Sequence, residues 1–433
     1  MKDLGILNGR VYLEGEFIEA NVYVEKGVVV DITTNFYDSR VMYDAGEKWV
    51  LPGFIDPHVH FELTVGPFTS VDDFRSGSIS ASFGGVTTFI DFLDPASSIE
   101  GIERALKIRL EKAKKSVVDY SFHITIANPE DNPEKIARFA RELELPTIKI
   151  FTTYSSTKRR TYDHQIVRFL KVSKEESVMI LAHAENDEMI NEDEIPVERH
   201  EESRPTIAEL SEVVKLAEIT KFLDGKLYVV HVSSGLTVEE IKRGFHDIVG
   251  EGLFLESCPQ YFYFTKDIYK KEKGYLYTLT PPLRSDVERK KLMDNIDVIS
   301  TIGTDHCPFN KEDKLGRFTK EIPMGIGSIE FSFVLMHTLF GDSVIDKFTK
   351  NVAKIHGLYP KKGTLLPGSD ADMVIFDPEA RWRIGEHHSR SNYNPYEGLE
   401  VRGKIISTIS RGNFIVKDGI FIGGEGRFLK RRL

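Results

Sequence analysis

The sequence predicts an α/β protein built as a (β/α)8 barrel of the TIM type, joined to a small β-sandwich domain that both chain termini supply. Three observations carry this expectation. Short apolar runs recur eight times through the middle of the chain, helix-like segments with 3.6-residue apolar spacing separate most of them, and both ends are β-rich and broken by glycines. Eight strands alternating with helices fit a closed parallel barrel, whose functional groups gather at the C-terminal ends of its strands.

From Leu4 to about Thr33 the pattern ILNGRVYLEGEFIEANVYVEKGVVVDI is short and alternating. Asn8-Gly9, Glu14-Gly15 and Lys26-Gly27 read as hairpin turns, which predicts a small antiparallel sheet. The apolar runs then follow: GFIDPHVH, VTTFIDF, YSFHITIA, TIKIF, VMILAHAE, LYVVHVSS, LFLESCPQY and VISTIGTDH. Between them GIERALKIRLEKAKK, PEKIARFAREL, TIAELSEVVKLAEITKFL and TVEEIKRGF carry helical periodicity. Residues from about Pro323 to Leu358 add helices leading to the β-rich stretches DADMVIFDP, GKIISTISRGNFIVKDG and IFIGGEG. The expected division is therefore 1–50 and 358–433 for the two parts of the β-domain and 51–357 for the barrel.

Composition narrows the function class. The chain has 433 residues, a formal charge of −10, 41% apolar and 29% charged residues, which suits a large folded enzyme and disfavours nucleic acid as a partner. The basic tail Arg427 to Leu433 is read as a solvated terminus. Only two cysteines, Cys258 and Cys307, are present, so no disulfide framework exists and a reducing cytoplasm is expected. The N-terminal segment lacks a signal-peptide core, and no run of about 18 apolar residues offers a membrane span.

The chemistry lies at the ends of the runs. His58 and His60 are two apart in LPGFIDPHVHFEL and share one face of an extended strand. Alone, the pair suits either a core strand or half of a metal site. Lys149, His183, His231 and Asp305 hold matching positions on other runs, where burial is costly without a compensating partner. Imidazole and carboxylate are ligands for zinc and similar divalent ions. A buried lysine has a lowered pKa, and its neutral amine can take up CO2 to give a carbamate anion able to bridge two metals. Two such metals about 3.5 Å apart can share a hydroxide nucleophile and polarise a carbonyl.

The chain resembles the cyclic amidohydrolases of the amidohydrolase superfamily, in particular the dihydropyrimidinase/hydantoinase branch. PGFIDPHVHFEL followed by SVDDFRSGSISASFGGVTTFIDF is similar to that branch's first metal motif and helix, and IKIFTTY to its carbamylated-lysine strand. LAHAEN and YVVHVSSG resemble its single-histidine motifs, while ESCPQY, TPPLR, GTDHCPF, GLYPKKGTLLPGSDADMVIFDP and NYNPYEG match further landmarks in order.

The resemblance implies hydrolysis of the ring amide of a 5,6-dihydropyrimidine or 5-substituted hydantoin to an N-carbamoyl amino acid. It implies two divalent ions, zinc with manganese or cobalt as alternatives. His58, His60 and Asp305 would bind one, His183 and His231 the other, and carboxylated Lys149 would bridge them. Asp305 would act as general base and acid on a metal-bridged hydroxide, and Tyr154 would donate to the oxyanion. Thr280 and Met324 replace the branch's usual serine and asparagine, positions whose backbone groups grip the cyclic amide. Leu63, Val65 and Phe68 would wall the exocyclic group.

Allantoinase and dihydroorotase activities are the alternatives within this chemistry. Phe61-Glu62 stands where dihydroorotases place a carboxylate-binding arginine, which favours a neutral or apolar ring substituent. A non-catalytic oligomeric scaffold is the alternative outside it, and the complete ligand set disfavours that reading. The family suggests a homotetramer, with a dimer as the other possibility. His387-His388 are read as solvated, His306 and Cys307 as structural, and Asn191 to Arg204 as a surface connection, for which the resemblance suggests a rim loop near the site or a subunit contact instead.

Overall fold

The computed structural model describes every residue from Met1 to Leu433. All eight apolar runs are strands: Phe54–Val59, Val86–Phe92, Asp119–Thr125, Thr147–Phe151, Met179–His183, Leu227–Val229, Leu253–Ser257 and Thr301–Ile302. They pair in parallel in the order of the sequence, and a parallel bridge from Val59 to His306 joins the last to the first, closing the barrel. Strands that bury both faces need apolar residues at successive positions rather than alternating ones. VTTFIDF shows the consequence, since all seven of its residues are buried.

Helices on the barrel's outside begin where the sequence supplies caps. The Ser98 hydroxyl accepts from the Gly101 N–H at the start of Ile99–Ala113, and the Ser234 hydroxyl from Thr237 at the start of Gly235–Phe245. Their apolar faces close over the strands in a core of 72 buried residues. No helix is long and apolar enough to cross a membrane.

The termini build one separate mixed sheet of nine strands, in which Trp49–Pro52 joins the N-terminal part to Met373–Arg383 of the C-terminal part. It folds around its own core of 14 residues drawn from both ends, among them Ile6, Val22, Val50, Met373 and Ile409. Glu14-Gly15 and Lys26-Gly27 are the hairpin turns expected. Asn8-Gly9 is not: it is a bulge inside Lys2–Leu13, with Asn8 at φ 53° and the register slipping between Ile6 and Gly9. Nor is the sheet wholly antiparallel, because Lys2–Leu13 pairs in parallel with Ser39–Asp44 and Trp49–Pro52. Alternation reports which face is buried and is blind to the direction of the partner strand.

The tail also departs from its reading. Arg431 is buried and donates to the Ser121 hydroxyl (2.8 Å), the Phe122 carbonyl (2.5 Å), the His356 carbonyl (3.0 Å) and the Thr147 hydroxyl (2.7 Å). Tyr120 N–H donates to the Arg427 carbonyl and Leu429 N–H to the Tyr120 carbonyl, so the tail lies alongside the third barrel strand. A guanidinium with four neutral acceptors is a structural plug, which a count of charges cannot distinguish from a solvated one.

Barrel and sheet meet at a buried ion cluster. Lys362 Nζ lies 2.6 Å from Asp119 of the third strand and 2.7 Å and 2.9 Å from Asp372 and Asp370. Arg411 from the sheet is a second cation on Asp119. Removing the one buried ammonium would leave carboxylates unpaired, a loss of about 3–5 kcal/mol. Lys362→Met is expected to lower the urea midpoint by a corresponding amount, and an unchanged midpoint would show that the cluster does not hold the two units together.

Candidate active site

The strand ends bring His58, His60, Lys149, His183, His231 and Asp305 to one end of the barrel. His58 and His60 leave the first strand on the same face, their Nε2 atoms 3.2 Å apart. Asp305 Oδ1, at φ 51° just past the eighth strand, lies 3.2 Å from His58 Nε2 and 3.1 Å from His60 Nε2. These three residues form a group whose ligand atoms all fall within 4.8 Å of one another. His183 Nδ1 and His231 Nε2 are 2.9 Å apart beside them, and the His58 and His231 rings lie 5.4 Å between centroids. Lys149 is buried on the fourth strand, its Nζ 5.1 Å from the Phe92 ring and 5.5 Å from that of Phe151.

Electrostatics here follow from burial. Desolvation lowers the Lys149 ammonium to about 8 against the pull of Asp305 and Glu256, so part of it is neutral amine near neutral pH. Burial alone would raise the Asp305 carboxyl, but His58 and His60 outweigh it and hold the group well below the usual carboxylate range. His60 is lowered to about 4 by burial, whereas Glu256 and Asp305 overcome burial at His58 and raise it to about 9. His231 is held well below its ordinary value by burial and by the His183 and Lys149 charges.

Three charged groups that sequence reasoning did not single out support the imidazoles from behind. Glu256, fully buried on the seventh strand, meets His58 Nδ1 at 2.7 Å and accepts from the His231 backbone N–H at 2.9 Å and the Tyr228 hydroxyl at 2.7 Å. Glu185 meets His183 Nε2 at 2.6 Å and is paired with Arg204. Glu256 was within reach of the criterion that found Lys149, an ionisable residue inside an apolar run. Arg204 was not, because it lies in a polar stretch. That stretch is a rim loop: His200 Nε2 meets the Leu279 carbonyl at 2.8 Å, and Val197 N–H donates to Arg317. His306 is structural as read, bonded to Asp72 at 2.9 Å, and Cys307 is buried. His388 is exposed but not free, stacked on Phe83 and bonded to Glu330 at 2.8 Å.

Of the remaining expected residues, Tyr154 lies beside this centre. Tyr154, half-buried at φ 71°, sets its ring 5.2 Å from that of His183. Leu63, Val65 and Phe68 belong to a small hairpin directly after His60, tied back when Ser70 Oγ donates to the His60 carbonyl at 2.8 Å. Thr280 and Met324 are half-buried on segments joined by the Gly325 N–H to Thr278 carbonyl bond of 3.0 Å.

A family model described as "Amidohydrolase family" matches residues 49–415. The chain belongs to the amidohydrolase family. A D-hydantoinase of Geobacillus stearothermophilus is 34% identical over 98% of this chain and 96% of its own length. The solved D-hydantoinase of Bacillus sp. AR9 superposes with a TM-score of 0.93 at 31% identity, covering 99% of both chains. The dihydropyrimidinase of Brevibacillus agri gives the same score and identity over 100% of this chain and 99% of its own.

Glu256 generates a prediction independent of any substrate. Glu256→Gln keeps the side chain's shape but removes the charge that orients His58, and partners of this kind are worth roughly 10–100-fold in metal affinity. Titration with a divalent ion and a competing chelator should show that loss; wild-type affinity would contradict it.

Proposed function

We propose that this protein opens the ring amide of 5,6-dihydropyrimidines or 5-substituted hydantoins by metal-assisted hydrolysis, giving N-carbamoyl amino acids. The observation that carries this reading is the convergence of His58, His60 and Asp305 on one point with the His183–His231 pair beside it, in a chain whose relatives are named hydantoinases and dihydropyrimidinases.

The residues fit a divalent pair. Ring nitrogens facing one another at 2.9 Å and 3.2 Å suit shared cations better than each other. His58, His60 and Asp305 would hold one ion and His183 and His231 the second, with Lys149 as a carbamate between them; zinc matches this donor set, as manganese or cobalt can. When bound, the ions supply Lewis acidity toward the amide carbonyl and acidify water.

The chain's own groups do the rest. Asp305, ionised, accepts the proton of the attacking water and passes it to the departing amide nitrogen. Burial raises the Tyr154 phenol to about 12, so it stays protonated and its O–H donates to the oxygen that gains charge. The backbone around Thr280 and Met324 grips the cyclic amide, and Leu63, Val65 and Phe68 exclude water from the exocyclic side. Assembly as a homotetramer, or as a dimer, completes the proposal. Phe222, 88% exposed on helix Thr206–Leu223, is apolar surface that another copy would cover.

Dihydrouracil, 5-substituted hydantoins, allantoin and dihydroorotate, offered in parallel to the metal-loaded protein, should separate the readings. Ring opening of the first two classes is expected, and turnover confined to dihydroorotate or allantoin would overturn the assignment. Lys149→Ala should abolish turnover and lower metal content, with partial rescue by short carboxylic acids; full activity would remove the bridging carbamate. Tyr154→Phe should lower kcat by about 10²–10³-fold with metal content unchanged.

A further inference from the structure

We propose that Arg204 is a positioning residue whose single guanidinium sets both the His183 imidazole and the Tyr154 phenol. It closes the polar stretch Asn191 to Arg204, directly before helix Thr206–Leu223. Its side chain is only 11% exposed. Nη1 donates to Glu185 Oε2, the same oxygen that lies 2.6 Å from His183 Nε2, so one carboxylate oxygen serves the cation and the imidazole together. Cζ stands 4.7 Å from the centroid of the Tyr154 ring, within cation–π range.

The backbone that carries the cation is anchored. The Arg204 carbonyl accepts from Arg284 Nη1, Arg284 Nε reaches Ser233 Oγ at 3.0 Å, and Ser233 is held by Glu209. Asn191 N–H donates to the Ser203 carbonyl and Asn186 N–H to that of Ala208, which locks the loop against the helix start.

Two consequences follow from charge and geometry. Without the guanidinium, Glu185 would be a fully buried carboxylate beside His183 with no cation to fix its oxygen, free to re-aim and so to release the imidazole from its orientation. The phenol, in turn, sits on a left-handed backbone, and its ring is packed by Phe151 at 5.8 Å, His183 at 5.2 Å and the Arg204 guanidinium at 4.7 Å. A cation over the ring face withdraws electron density from the phenol and strengthens its O–H as a donor. The Tyr154 half of the proposal rests on the hydrolytic reading above; the His183 half does not.

The test uses the full chain with Arg204→Gln and Arg204→Lys. Zinc titration against a chelator measures the His183 half. Arg204→Gln should weaken the second equivalent by about 10-fold or more, while Arg204→Lys, which keeps the charge beside Glu185, should retain it. With saturating zinc and a ring that the wild type opens, both variants should lose kcat by about 10-fold or more with KM within about 3-fold, because a lysine ammonium paired with Glu185 is a point charge that does not also cover the Tyr154 ring. In a Tyr154→Phe background, either substitution should cost far less kcat than in the wild type. Wild-type zinc affinity in Arg204→Gln overturns the His183 half, and wild-type kcat, or losses that multiply in the double variants, overturn the Tyr154 half. If the wild type opens no ring at all, the substrate reading fails while the zinc titration still decides the rest.

Discussion

The structure turns on keeping nitrogen bases away from water without giving each an acid of its own. His58, Lys149, His183 and His231 are exposed by only 1%, 3%, 3% and 4%. Buried polar groups of this kind are costly unless something completes their bonding. The barrel answers with carboxylates behind the imidazoles, Glu256 at His58 and Glu185 at His183, each itself held by a further donor, Tyr228 or Arg204. The polar layer therefore extends outward from the centre rather than stopping at it, and each ring is turned so that its other nitrogen faces its neighbours. Closed parallel packing allows this, because a strand buried on both faces holds its side chain in a fixed direction while a neighbouring strand or the loop after it carries the support.

How much of this was legible depended on whether a signal was local. The eight strands could be read because a doubly buried strand is apolar throughout, and ionisable residues at its end stand out against that background. Lys149 inside TIKIF is the plainest case. Glu256 stood out equally in LFLES and was passed over, since it touches its histidines only through the fold, 198 residues from His58 in the chain. Arg204 and Arg431 were illegible for a different reason. Each lies among other charged residues, and nothing in NEDEIPVERHEESR or RFLKRRL says which guanidinium is the one that goes inside. The bulge at Asn8-Gly9 was misread because a left-handed asparagine before glycine serves a turn and a bulge alike. Only the space available, with Val50 Cγ2 2.5 Å from where a Cβ of Gly9 would stand, separates the two uses.

The same outward layering bears on the two departures from the family pattern. Lys314 is fully buried and donates to the Thr278 carbonyl at 2.8 Å and the Gly325 carbonyl at 2.6 Å, tying together the segments that carry Thr280 and Met324. Burial lowers this ammonium to about 7, as expected of a cation whose partners are neutral. If the backbone of these segments grips the cyclic amide as proposed, its spacing is set by Lys314 and by the Gly325 to Thr278 bond. The side chains at 280 and 324 are then free to vary without opening the grip, and their replacement reshapes the wall of the site while leaving its hold on the ring amide.

The cations around the first strand extend that argument to the substituent. Phe61 turns into the core against Phe74 and Phe89, and Glu62 pairs with Lys112 at 3.0 Å. Arg109, the buried guanidinium nearest to them, is taken up by the Phe61 carbonyl at 2.5 Å and by Asp94 at 2.8 Å. Arg204 is likewise committed to Glu185. A carboxylate on the ring would have to be stripped of water against Leu63, Val65 and Phe68, and Arg109 or Arg204 would have to abandon a buried partner to receive it. That exchange is unfavourable on both sides, because it leaves one carboxylate unpaired whichever way the cation turns. These two commitments favour, for the proposed hydrolysis, a ring whose substituent is neutral.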